Sequence, residues 1–198
     1  MSSSNLTDGM NDPLWRKAED AASKHDFVGV LSILRELANI GVWQVCSRIG
    51  ELYETGGGGV DIDFDSSIKW YRKSIFLGDD PRGHLGLGRG YYSGKGVAQN
   101  RCLAFEHFQK AFNKGLSEAG VYLGLMYHLG LVVPANQTKA RECFQVAALD
   151  GYCIAYEYMA RIELRSLHLI KAFRLAFKSW ALAARTHKAD PYDRRLLR

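Results

Sequence analysis

Proline is scarce in this sequence, with four residues among 198, whereas glycine occurs 20 times. So few prolines favour long uninterrupted helices over a β-sandwich, whose many short strands are separated by glycine- and proline-rich turns. No apolar run approaches the roughly 18 residues that a membrane-spanning helix needs. With 47% hydrophobic and 24% charged residues, the composition is that of an ordinary globular protein.

Cysteine is also sparse. The four cysteines, Cys46, Cys102, Cys143 and Cys153, show no regular spacing and no Cys-x-x-Cys pair. We therefore expect reduced thiols in a cytoplasmic protein. The first residues, MSSSNLTDGMND, lack the basic start and apolar core of a secretory signal. Localisation would be periplasmic if a signal peptide had been removed.

Motifs of catalysis and ligand binding are missing as well. The four glycines Gly56–Gly59 are not followed by the lysine and hydroxyl residue of a phosphate-binding loop. A calcium loop starting at Asp61 would need glycine and glutamate where Ser66 and Arg72 stand. The six histidines are not spaced as metal ligands, and no nucleophile motif or singled-out carboxylate pair occurs. The sequence predicts no enzyme, no cofactor and no metal site.

The sequence does contain an internal repeat. Four marker glycines, Gly41, Gly78, Gly115 and Gly151, follow one another at intervals of 37, 37 and 36 residues. Nine or ten residues after each marker stands a small residue: Gly50, Gly88, Gly124 and Ala160. Three residues further on stand Tyr53, Tyr91 and Tyr127, with Glu163 in the fourth unit. The glycine run then falls in the turn after Tyr53, and one glycine, such as Gly57 or Gly58, is surplus to that turn.

Each unit is predicted to be a pair of helices. The first helix carries apolar positions at 4, 5, 8, 9 and 12 residues from the marker, one stripe at helical spacing. The second helix begins at a residue suited to N-capping, namely Asp63, Asn100 or Asn136. It buries an aromatic residue: Tyr71, Phe108, Phe144 or Trp180. The marker glycine suits the left-handed end of a helix, and the small residues allow neighbouring helices to approach closely.

The repeat predicts one domain over residues 13–189, with a flexible N-terminus at 1–12 and a C-terminal tail at 190–198. Its units are expected at about 13–41, 42–78, 79–115, 116–151 and 152–187. The first and last of these match the pattern less well than the three central units.

The stretches "IGELYETGGGGVDIDFDSSIKWYRKS", "LGRGYYSGKGVAQNRCLAFEHFQKA" and "LGLMYHLGLVVPANQTKARECFQVAALDG" resemble the Sel1-like repeat, a relative of the tetratricopeptide repeat. The resemblance implies an all-α fold, a right-handed α-α superhelix of about five helical hairpins. It also implies that first helices line a concave surface and second helices a convex one. Members are adaptor and scaffold proteins, many of them bacterial, and some are immunity proteins that neutralise secreted toxins.

The leading hypothesis is therefore a non-catalytic protein-interaction module that binds a partner protein on the concave face. On a helical wheel, the outward positions of the first helices are those lying between the apolar positions. They give the predicted binding residues Arg48, Glu51, Leu85, Arg89, Tyr92, Glu118, Val121, Tyr122, Leu125, Leu129, Tyr158, Arg161 and Arg165. An apolar centre rimmed by arginine predicts a partner with an apolar anchor and acidic flanks, and no small-molecule substrate. Toxin neutralisation is the first alternative.

A second alternative concerns the C-terminal end, where nine lysines and arginines stand against two aspartates from Arg165 onward. Such a basic surface can bind nucleic acid or an anionic membrane. We expect no aromatic platform interleaved with this charge, which disfavours single-stranded nucleic acid as the partner.

Overall fold

The computed structural model describes residues 13–56, 59–165 and 168–189, which form ten α-helices and no β-strand. The first six helices are α1 (Pro13–Ser23), α2 (Phe27–Asn39), α3 (Gln44–Thr55), α4 (Phe64–Gly78), α5 (Pro81–Ser93) and α6 (Arg101–Asn113). The other four are α7 (Glu118–Leu129), α8 (Gln137–Leu149), α9 (Cys153–Arg165) and α10 (Leu169–Ala189). The predicted all-α class is confirmed, and helices pack in the pairs α1–α2, α3–α4, α7–α8 and α9–α10.

The turns inside three of these pairs share one hydrogen-bonding pattern. The backbone N–H of each capping residue donates to the carbonyl of the repeat tyrosine at 2.9 Å: Asp63 to Tyr53, Asn100 to Tyr91, Asn136 to Tyr127. The capping side chains accept from backbone N–H groups of Ser66 at 2.9 Å, Leu103 at 3.1 Å and Lys139 at 2.9 Å. The three predicted N-caps are therefore confirmed. Gly57 and Gly58, the glycines predicted to be surplus, lie outside the described residues.

The marker glycines do not all play the predicted role. Gly41, Gly115 and Gly151 have φ angles of 96°, 88° and 92°, in the left-handed region that favours glycine. At Gly78 the prediction is wrong, because Gly78 is the last residue of α4 and Asp79, with φ of 48°, takes the left-handed position. A Cβ atom at Gly78 would lie 2.3 Å from the ring of Trp43, so close packing explains this glycine.

The chain divides into two compact units, with the boundary between His107 and Phe108 inside α6. In the first unit, helices α1 to α5 pack in chain order, and Leu37, Val45 and Ile49 are fully buried in its core. In the second unit, helices α7 to α10 pack in chain order, and its core includes the fully buried Ala140 and Phe144.

Small residues and aromatic rings of the repeat meet in the core. A Cβ atom at Gly50 would lie 2.7 Å from the ring of Tyr71, and one at Gly124 would lie 2.6 Å from the ring of Phe144. The helices approach closely only because these positions lack side chains. The prediction that Trp180 is a buried core residue is wrong, since 65% of its surface is exposed.

Candidate functional site

Helices α7 and α9 contact each other and carry most of the predicted binding residues. We call the outward side of this pair the first-helix surface; it comprises Glu118, Val121, Tyr122, Leu125, Leu129, Tyr158 and Arg161. Leu129 is 50% exposed, and Arg161 is also exposed. The side chain of Arg165, another predicted binding residue, lies outside the described structure.

Two tyrosines on the first-helix surface are held in place by ring stacking. Tyr158 stacks on the buried Phe144 with 5.1 Å between ring centroids and an angle of 7°. The guanidinium carbon of Arg161 lies over the Tyr158 ring, 5.3 Å from its centroid, within cation–π range. In α7, Tyr122 stacks in the same way on the buried Phe108, at 4.6 Å. Both tyrosines are half-buried, and each ring is held on one face by a buried phenylalanine.

Other residues of the first-helix surface also contact the interior of the second unit. Val121 and Leu125 are half-buried and pack against the cluster around Phe144. Glu118 is half-buried as well, and its Oε2 atom accepts a hydrogen bond from the hydroxyl of Tyr152 at 3.4 Å. Of the apolar residues that the helical wheel placed outward on α7, Leu129 is exposed, whereas Val121, Tyr122 and Leu125 are half-buried.

In the first unit the outward assignment of Leu85 and Arg89 is wrong, because only 3% and 9% of their surfaces are exposed. Both belong to α5, in which every residue from 83 to 90 is buried. The glycines Gly83, Gly86, Gly88 and Gly90 give this helix little side-chain bulk and allow neighbouring groups to approach it. A helical wheel assumes one buried face, and α5 has no exposed face over these two turns.

Arg89 instead belongs to a buried polar cluster. Its Nη2 atom lies 2.6 Å from Oε2 of Glu54, and the hydroxyl of Tyr71 donates to the same oxygen at 2.6 Å. Burial raises the pKa of Tyr71 well above its ordinary value, against the opposing effect of the Arg89 charge. The phenol therefore remains a hydrogen-bond donor at any physiological pH. Sequence reasoning missed this cluster, since its members are 17 to 35 residues apart.

The remaining predicted binding residues of the first unit are only partly accessible to a partner. The guanidinium of Arg48 is exposed but lies over the Trp15 ring, 5.3 Å from its centroid. Glu51 is half-buried and forms a 3.8 Å ion pair with Arg82. Tyr92 is half-buried. Of this set, Arg48 is the side chain most open to solvent.

The polar cluster of Arg89 borders a cavity of about 20 Å³ lined in part by Glu54, Ser67 and Lys95. This volume holds about one water molecule and no organic substrate. Within the described part of the chain, no three side chains of histidine, cysteine, aspartate or glutamate come together as metal ligands.

The first unit also contains a histidine pair. The Nδ1 atoms of His84 and His107 are 2.9 Å apart, and Nε2 of His84 lies 2.8 Å from Asp79. One ring nitrogen of the pair must donate and the other accept, so the two imidazoles satisfy each other. This contact was not predictable from the spacing of the histidines in the sequence, because the two side chains come from different helices.

In the second unit, Glu163 stands at the repeat position of the tyrosine and is 2% exposed. Its carboxylate contacts Arg141 at 3.0 Å, Lys171 at 3.2 Å and His168 at 3.5 Å. Burial pushes the pKa of Glu163 upward, but the hydrogen bond from Lys171 and the neighbouring positive charges outweigh it and lower the pKa. An ionised carboxylate therefore joins α8, α9 and the start of α10.

Helix α10 exposes an apolar stripe that sequence reasoning assigned to the core or overlooked. We call Phe173, Ala176, Phe177, Trp180 and Ala184 the α10 stripe; its aromatic members are 75%, 57% and 65% exposed. A groove of about 380 Å³ runs beside it, lined by Ala148, Leu149, Gly151, Tyr156, Phe177, Lys178, Ala181 and Leu182. The expectation that no aromatic platform interleaves with the basic end is wrong, since Arg174 and Lys178 are exposed on the same helix as these rings.

None of the helices in the described part of the chain is long and apolar enough to cross a bilayer. Two solved structures illustrate the likeness of this chain to known folds. A Sel1 repeat protein from Oxalobacter formigenes superposes with a TM-score of 0.68 at 19% identity, covering 95% of this chain and 88% of that one. The protein 5086 of Pseudomonas aeruginosa gives 0.60 at 23% identity, covering 88% and 68%. At these identities the likeness establishes the fold alone.

Sequence comparison places the chain more narrowly. An uncharacterized protein of Neisseria meningitidis serogroup B is 30% identical over 126 residues, 64% of this chain and 26% of that protein. The chain thus spans about a quarter of the length of this curated relative. The Sel1 repeat model matches residues 43–79, 81–116 and 117–152, which are the pairs α3–α4, α5–α6 and α7–α8. Sel1 repeat proteins are protein-interaction modules and typically non-catalytic scaffolds. Because these matches cover more than half of its residues, the chain belongs to the Sel1 repeat family.

Proposed function

We propose that this chain is a non-catalytic adaptor or scaffold whose partner protein binds the first-helix surface of α7 and α9. The observation that carries the proposal is the arrangement of Tyr158, whose ring stacks on Phe144 and lies beneath the guanidinium of Arg161. A ring held in this way loses little conformational freedom when a partner binds, so less binding energy is spent on ordering it.

The chemistry of the surface indicates the kind of partner. Tyrosine and arginine are the residue types that dominate binding hot spots, and the half-exposed Leu129 adds an apolar contact. Arg161 supplies positive charge beside them. We therefore expect a protein segment that places an apolar side chain near Leu129 and an acidic side chain near Arg161.

Two of the buried thiols are unsuited to nucleophilic catalysis. Burial raises the pKa of the Cys143 thiol to about 11 and also raises the pKa of Cys46. A thiol with so high a pKa is almost entirely protonated at neutral pH and is a poor nucleophile.

Site-specific photo-crosslinking in cells of the source organism tests the proposal. A photoreactive phenylalanine analogue at Leu129 or Arg161 should crosslink one protein, identified by mass spectrometry, that the same analogue at the exposed Lys69 of α4 does not capture. A captured protein that proves to be a secreted toxin would assign toxin neutralisation as the specific role.

Calorimetry with that purified partner provides the quantitative test. Leu129→Ser and Arg161→Glu should each weaken binding at least tenfold while leaving the helical circular dichroism and melting temperature unchanged, because both side chains are exposed. Lys69→Glu is the matched control and should bind as the wild type does. Normal binding by both surface variants would contradict the proposal.

A further inference from the structure

Helices α8 and α10 are second helices of adjacent repeats, and the same positions have opposite environments in them. Ala140, Phe144 and Ala148 of α8 are 0%, 0% and 5% exposed. Their counterparts 36 residues later, Ala176, Trp180 and Ala184, are all exposed. In α8 this face is covered by α7, whose Gly124 lies against the Phe144 ring, and by α9, whose Tyr158 stacks on that ring. The α10 stripe therefore has the composition of a helix-covered face without that cover in the described structure.

We propose that the α10 stripe and the groove beside it dock an acidic amphipathic helix of a partner protein. This is a second surface, separate from the first-helix surface, and the inference goes beyond the proposed function.

The shape of the stripe argues for a helix as the occupant. Trp180 stands between two alanines, four residues before and four residues after it, as Phe144 does in α8. Alanines on either side of a ring let a second helix approach closely and place its side chains around that ring. The groove continues this surface and is lined by three further small residues, Ala148, Gly151 and Ala181.

Charge identifies the chemistry of that helix. Between Leu169 and Ala189 the sequence has five lysines and arginines and no acidic residue. Arg174 and Lys178 are exposed, whereas Lys171 is engaged by Glu163. Glutamates or aspartates flanking the apolar face of the partner would meet Arg174 and Lys178. A second copy of this chain would instead bring two α10 helices of like charge together, which is unfavourable.

The same features distinguish this partner from an anionic membrane or a single-stranded nucleic acid. A bilayer surface is flat and leaves a concave groove unfilled, whereas a helix about 10 Å across fills it. Nucleic-acid bases stack on exposed rings, and this stacking does not require the alanines that flank Trp180.

The test measures binding of the full chain to two fluorescent helical peptides of about 20 residues, long enough to be helical alone. Both peptides contain the apolar residues of α9 in the same order. At the remaining surface positions one peptide has glutamate and the other has lysine. In fluorescence anisotropy at physiological salt, we expect the acidic peptide to bind at least tenfold more tightly than the basic one. Equal binding of the two peptides would overturn the proposal.

Variants of exposed residues locate the site. Trp180→Ala and Phe177→Ser should each weaken binding of the acidic peptide at least fivefold, and Lys178→Glu should weaken it about threefold. The circular dichroism of all three variants should be unchanged. Phe76→Ala in α4, where the ring is 87% exposed, is the matched aromatic control and should change nothing. Unchanged peptide binding by Trp180→Ala would contradict the proposal.

Three other possible occupants of the stripe are also tested: a nucleic acid, a membrane and a second copy of the chain. Tighter binding to an oligothymidylate or to vesicles containing phosphatidylglycerol than to the acidic peptide, again dependent on Trp180, would assign the stripe to those partners instead. Concentration-dependent dimerisation that Trp180→Ala abolishes would assign it to self-association. Leu129→Ser should bind the acidic peptide normally, so failure of the first-helix surface and failure of the α10 stripe are distinguished.

Discussion

Replacing Arg89 with methionine tests whether this arginine is a structural or a binding residue. The Arg89 side chain is 10% exposed and its partner Glu54 is 21% exposed, so the variant leaves a carboxylate largely buried without its counter-charge. Removing one member of a fully buried ion pair costs about 3–5 kcal/mol. Because Glu54 keeps some contact with solvent and the hydrogen bond from Tyr71, we expect a smaller loss, of about 2–3 kcal/mol.

Urea unfolding followed by circular dichroism measures this loss, and hydrogen exchange locates it. The second measurement is needed because repeat proteins unfold in parts, so one global free energy does not describe them. Amides of α3, α4 and α5 should lose protection in Arg89→Met. Arg72→Met, a change at an exposed arginine of α4, is the control and should stay within about 0.5 kcal/mol of the wild type.

A double-mutant cycle completes the argument. Glu54→Gln in the Arg89→Met background removes the uncompensated charge, so part of the stability should return, with a coupling of about 1–3 kcal/mol between the two positions. Wild-type stability of Arg89→Met, together with weakened partner binding, would refute the structural assignment. It would restore Arg89 to the binding surface on which the helical wheel placed it.

Three further predictions concern the second unit and the cysteines. Gly124→Ala should destabilise the protein by about 1–3 kcal/mol, because the new methyl group meets the Phe144 ring at 2.6 Å, and Phe144→Leu in the same chain should recover part of that loss in urea titrations. A thiol reagent should label the exposed Cys102 alone in the native protein and four cysteines in urea, so native labelling that survives Cys102→Ser would contradict the buried state of the others. The lowered pKa of Glu163 stabilises the fold above the ordinary carboxyl pKa of about 4.3, and this contribution is lost as pH falls through the folded-state value. Compared with Glu163→Gln, the wild type should therefore lose stability as pH falls below about 4.3, and parallel pH profiles of the two proteins would count against the buried carboxylate.

The amino-acid sequence by itself determined the features that depend on neighbours along the chain. The repeat period predicted paired helices, and the turns after Tyr53, Tyr91 and Tyr127 close with the same backbone hydrogen bond. The capping role of Asp63 and Asn136 follows from a short polar side chain beside free N–H groups, which is local chemistry. Small residues and buried rings also recur in each unit, and the close approach of Gly124 to Phe144 agrees with that pattern.

Only the tertiary structure decided which faces of these helices remain exposed. Leu85 and Arg89 occupy outward positions on a helical wheel, yet α5 is buried on every side over these turns. Phe144 and Trp180 occupy the same repeat position, yet a neighbouring helix covers one and not the other. Exposure is a property of what packs against a residue, and that packing joins groups far apart in the chain. The pattern within one helix therefore shows which residues can be buried, and the arrangement of its neighbours decides which of them are.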